Sequence, residues 1–95
     1  MSILYIRQHA HITLWVKKET YIVQRDRLVA LLREVRLEAG LTQAGLAARV
    51  GKDQAYVSRY ESGQRRLDVL EVRELCRAIG ISLEKFAKRL EKSLK

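Results

Sequence analysis

The chain has 95 residues, of which 47% are hydrophobic and 32% charged, with 19 Lys+Arg against 11 Asp+Glu and a net charge of +8. That length suits one domain with one core, and the composition excludes a disordered polyelectrolyte and a membrane protein. An excess of positive charge this large in a short chain points to a polyanionic partner, first of all nucleic acid.

The longest stretch free of Asp, Glu, Lys and Arg in the N-terminal quarter runs from Gln8 to Val16 and includes two histidines. It falls well short of the ~18 apolar residues of a transmembrane helix. No basic start is followed by an apolar run and a small-residue cleavage site, so secretion is not expected. A single cysteine, Cys76, forbids an intrachain disulfide and fits a cytoplasmic location. The charge is spread, with +3 in residues 1–25, +2 in 52–66 and +3 in 82–95, so it is no basic tail. A generally soluble basic surface is the plainer reading of the same numbers.

Residues 1–25 are dense in Ile, Val and Thr: Ile3, Ile6, Ile12, Thr13, Val16, Thr20, Ile22 and Val23. Ile12, Leu14 and Val16 alternate with Thr13 and Trp15, and Lys17-Lys18-Glu19 could turn the chain. This pattern predicts a β-hairpin or short strands that pack on the body or pair with a second chain. His9 and His11 would then share a strand face, but two ligands without a third do not make a zinc site, and no metal is expected.

From Asp26 onward the pattern is helical. Leu28, Leu31, Leu32, Val35 and Ala39 follow a 3.6-residue stripe, with Asp26 as expected N-cap and Gly40 as terminator. A second helix is predicted from Gln43 to Val50 behind Thr42, and a third from Gln54 to Glu61 behind Asp53. Asp68 and Glu71 form a D-x-x-E capping box that opens the fourth, whose inner stripe is Val72, Leu75, Cys76 and Ile79. Ser82 opens the fifth, with Leu83, Phe86, Ala87, Leu90 and Leu94 on one face. The expected fold is all-α: five short helices over residues 26–95, preceded by an extended segment over 1–25.

The second and third helices meet through a short turn. Ala47 is small where the helices cross, Gly51 tolerates the positive φ the turn requires, and Val57 faces the crossing. This is a helix-turn-helix, whose second helix docks in the DNA major groove.

Residues 26–90 resemble the lambda-repressor-like family of Cro, phage repressors and Xre-type regulators. The blocks that carry the resemblance are T-Q-x-x-L-A at Thr42–Ala47, Y-V-S-R-Y-E-x-G at Tyr56–Gly63 and A-I-G-I-S-L at Ala78–Leu83. The resemblance implies that Gln54, Ala55 and Arg59 read bases. It implies backbone contacts for Gln43, which also braces Gln54, and for Lys52, Tyr56, Ser58, Arg65 and Arg66. It pairs Glu61 with Arg36 as a partly buried structural ion pair. By its own chemistry, the amphipathic phenol of Tyr56 fits either a phosphate contact or the core. The chemistry is consistent: Gln pairs bidentately with adenine and Arg with guanine, at about 1–3 kcal/mol of discrimination each. Two positions depart from the pattern, Gly45 where a helix former is usual and Leu67 where proline often stands.

No paired carboxylates, Ser/His/Asp set or phosphate-cradling glycine loop is present, so neither an enzyme nor a cofactor is expected. The expected function is a sequence-specific DNA-binding transcriptional regulator, most simply a repressor, acting as a homodimer on a palindromic operator. One recognition helix alone covers too few base pairs to select a genomic site. The two-fold contact is expected from residues 1–25 or from the last helix. An antitoxin with a toxin partner, a restriction–modification controller of its own operon, and a protein-interaction adaptor are the alternatives.

Overall fold

The structure, a computed structural model, describes the backbone of residues 3–94 and the side chains of residues 19–94. It comprises five helices: α1 (Ile3–Glu38), α2 (Gln43–Arg49), α3 (Gln54–Glu61), α4 (Val69–Ile79) and α5 (Leu83–Leu94). The last four stand within a residue of their expected positions. Asp53 caps α3 by accepting from the Tyr56 amide at 3.0 Å. Asp68 and Glu71 form the reciprocal capping box of α4, at 2.7 and 3.0 Å.

The N-terminal expectation is corrected. Residues 3–25 are helical and continue without a break into α1, and no strand forms among the described residues. Asp26 is accordingly an exposed residue within α1 and not an N-cap. The physical reason is a lack of punctuation. The chain has no proline, its first glycine is Gly40, and Lys17-Lys18-Glu19 offers no residue suited to the positive φ of a tight hairpin turn. β-Branched residues cost a helix only tenths of a kcal/mol each, up to about 0.7, whereas an isolated hairpin is marginal in water. The helix satisfies every interior amide locally, and at 1.5 Å per residue its 36 residues span about 54 Å, close to the 51 Å long axis of the molecule. His9 and His11 belong to the segment whose side chains lie outside the described residues.

The core draws on all five helices. Leu32, Leu46, Val57, Tyr60, Leu75, Cys76 and Phe86 are essentially inaccessible, and Leu31, Val35, Ala47, Val72 and Ile79 close around them. Removing such a leucine side chain costs about 2–5 kcal/mol. Cys76 is one of these packing residues, and burial raises its thiol pKa to about 11. Helix α5 runs antiparallel to the C-terminal half of α1. Arg89 bridges Glu34 and Glu38 at 2.9–3.2 Å, while Arg27 donates to the Ser93 carbonyl at 2.7 Å. Most apolar positions of α5 are used here: Phe86 is buried, and Leu83 and Leu90 are partly buried against the core. This arrangement fixes α2 and α3 on one side of the body and leaves the outer face of α3 uncovered.

Candidate nucleic-acid interface

The turn between α2 and α3 is tight because each of its requirements is met locally. Ala47 is buried at the crossing, Val57 faces it fully buried, and Gly51 adopts φ +68°. The Lys52 amide then closes back onto the Ala47 carbonyl at 2.9 Å. Thr42 caps α2 by accepting from the Gly45 amide at 2.9 Å. A Cβ at Gly45 would approach the Thr42 hydroxyl oxygen to 3.1 Å, so the missing side chain leaves that cap uncrowded.

Helix α3 divides its residues sharply. Tyr56, Val57 and Tyr60 face the core, while Gln54, Ser58 and Arg59 are exposed and Ala55 is half-buried at the edge of the same outer face. Gln54 and Arg59 thus stand on the uncovered side, about a turn and a half apart. Arg59 has no side-chain hydrogen bond or ion pair among the described residues.

Behind this face lies a buried polar chain. Arg36 is 5% exposed and donates to both Glu61 oxygens, Nε to Oε2 at 2.7 Å and Nη2 to Oε1 at 2.9 Å, with Nη1 on the Leu41 carbonyl at 2.8 Å. Gln43 Nε2 donates to Glu61 Oε1 at 3.1 Å, and Gln54 Nε2 reaches Gln43 Oε1 at 3.4 Å. A buried ion pair in α1 and α3 is therefore linked through α2 to the exposed amide of Gln54. The hydrogen bond to Glu61 raises the Arg36 pKa, against the opposing effect of burial.

Tyr56 is placed in the core. Its ring packs edge-on to Tyr60 at 5.7 Å, and burial, followed by the charge of Glu71, raises its phenol pKa. The ring also carries cations: Lys52 Nζ lies 5.7 Å and the Arg65 guanidinium 4.8 Å from its centroid. Sequence reasoning missed that Arg65 is otherwise engaged. It binds Glu71 Oε2 at 2.8 Å and the Arg66 carbonyl at 3.0 Å, so the capping glutamate of α4 also anchors the loop after α3. The signal available was the second carboxylate oxygen left over by the capping box. Arg66 is exposed in the same loop, and Lys52 and Ser58 are exposed on either side of Tyr56. The structure thus joins Gln43 to Gln54, leaves Gln54, Ser58 and Arg59 exposed on α3 with Ala55 half-buried, and gathers Lys52 and Arg65 at the Tyr56 ring while Arg66 lies at the Tyr21 ring. Among the described residues no group of three or more His, Cys, Asp or Glu could hold a metal ion, and no helix is long and apolar enough to cross a membrane.

A two-helix unit that presents an uncovered polar helix beside a cationic loop defines the class of helix-turn-helix DNA-binding domains. The helix-turn-helix family model matches residues 32–93. An XRE-family like protein from Pseudomonas syringae pv. tomato superposes with a TM-score of 0.77 at 40% identity, over 82% of this chain and 95% of that one. The restriction-modification controller protein C.Esp1396I, as a tetramer in complex with its natural 35 base-pair operator, superposes at 0.70 with 25% identity, over 75% and 93%. The uncharacterized HTH-type transcriptional regulator y4dJ of Sinorhizobium fredii is 44% identical over 48 residues, half of this chain and 62% of that protein. The chain belongs to the lambda-repressor-like, Xre-type helix-turn-helix family of DNA-binding transcriptional regulators.

Proposed function

We propose that the protein is a sequence-specific transcriptional regulator that binds duplex DNA as a homodimer, with α3 in the major groove. The observation that carries this reading is the hydrogen-bonded chain from Arg36 through Glu61 and Gln43 to Gln54. It fixes the exposed amide before DNA arrives, and a preorganised donor–acceptor pair is what bidentate adenine recognition needs. Gln54, Ala55 and Arg59 read bases in this proposal. Gln43, Lys52, Ser58 and Arg66 hold the backbone, while Tyr56 contributes as the platform for Lys52 and Arg65. The protein works by binding and not by catalysis, in the cytoplasm, and it needs no cofactor.

The two-fold contact is assigned to α1. The apolar residues of α5 are largely engaged within the domain, whereas Ile22 and Val23 of α1 are 49% and 56% exposed. A controller of its own restriction–modification operon is the second reading, supported by the likeness to C.Esp1396I; nothing comparable supports a toxin partner.

Selection of bound sequences from a random duplex library tests the proposal. A palindrome with half-sites one helical turn apart, about 34–36 Å, is the expected result. Recovery of unselected sequence would overturn base reading, and recovery of an isolated half-site would overturn the dimer.

A further inference from the structure

The loop joining α3 to α4 carries two adjacent arginines in different states. Arg65 has its face on Tyr56 and its edge on Glu71 and on the Arg66 carbonyl. Arg66 has its guanidinium carbon 5.3 Å from the ring centroid of Tyr21, and its N–H groups have no acceptor among the described residues. Tyr21 stands on α1, outside the 32–93 segment that matches the family. One turn further along α1, Arg25 meets the same loop. Its Nη2 lies 3.3 Å from where a Cβ on Gly63 would be, at a glycine held at φ +82°. The Arg25 Nε is buried there without a hydrogen-bond partner. The middle of α1 therefore supports the loop at two points.

We propose that Tyr21 and Arg25 are positioning residues that hold Arg66 ready for a DNA phosphate; this rests on the backbone role assigned to Arg66 above. A cation on an aromatic ring uses the face of the guanidinium, whereas a phosphate binds its edge. Stacking on Tyr21 thus orients Arg66 without occupying the donors it needs. A free arginine side chain loses rotamer freedom when fixed, and a stacked one has less to lose. Arg65, with face and edge both occupied, acts as the clamp of the loop, and Arg66 makes the contact. Arg25 fills the space a side chain at Gly63 would take and supports the loop backbone there.

A double-mutant cycle in the full-length protein tests this on a mixed-sequence duplex of about three helical turns, titrated at several salt concentrations. Arg66→Ala should weaken binding and lower the slope of log K against log salt by about one. Tyr21→Ala should weaken binding about two- to fivefold, as expected of an exposed cation–π contact, and Tyr21→Phe should restore it. In the Arg66→Ala background, Tyr21→Ala should cost nothing further. Any general loss of helix stability would appear equally in both backgrounds, so the cycle separates positioning from folding. Equal losses in the two backgrounds, or a Tyr21→Phe protein as weak as Tyr21→Ala, would overturn the proposal. An Arg66→Ala protein with unchanged affinity and slope would instead overturn the backbone role of Arg66, and the positioning role with it.

Discussion

Glu61 is an acid on a helix that is to lie against phosphates, and its surroundings resolve the contradiction. Its side chain is buried and faces the buried side chain of Arg36, so its charge is neutralised inside the fold. Breaking such a pair from one side leaves an uncompensated buried charge, at about 3–5 kcal/mol. Against a total stability of roughly 5–15 kcal/mol, Glu61→Ala is expected to leave a marginally folded protein. Urea denaturation checks this, and a loss below 1 kcal/mol would mean that the guanidinium finds water instead. The pair is separated by 25 residues in the chain, so no local pattern announces it, and only the family resemblance pointed to it. The link from Glu61 through Gln43 to Gln54 was legible in part. The resemblance joined the two glutamines, but that Glu61 anchors both depends on which oxygen the buried guanidinium leaves available.

Helices α2 to α5 were legible because each has a chemical beginning: Thr42, Asp53, Asp68 and Ser82 stand at the boundaries. The first half of helix α1 is a β-branched stretch whose composition favours strands, and what decides for a helix is that no glycine, proline or asparagine stands between Ile3 and Glu38. At the start of α4, Glu71 serves two partners, and its pKa lies below the usual carboxylate range because Arg65 and then the Asp68 amide bind the charged form. A group with a depressed folded pKa stabilises above its unfolded pKa, about 4.3, and loses that contribution as pH falls through the folded value. The Glu71→Gln protein should therefore be less stable than the parent at pH 7, with the difference closing below about pH 4. Thermal unfolding across pH 3–7 measures it, and a gap that persists in acid would contradict the ionic role.

At the scale of the molecule, +8 net charge secures attraction to DNA but not selection of a site, since phosphate contacts carry no sequence information directly. The body was legible from the periodicity of its stripes. The long axis set by α1 and the contact of Tyr21 with Arg66 were not, because both follow from where an unbroken helix carries residues distant in sequence. In the proposed function an exposed helix reads bases and a charged loop holds the backbone, and Arg59 separates the two roles. Titration of Arg59→Ala against the selected operator and a scrambled duplex of equal length, at several salt concentrations, measures it directly. A loss of about 1–3 kcal/mol on the operator, with little change on the scrambled duplex, is the predicted result. Equal losses on both duplexes would show that α3 supplies charge and does not read bases.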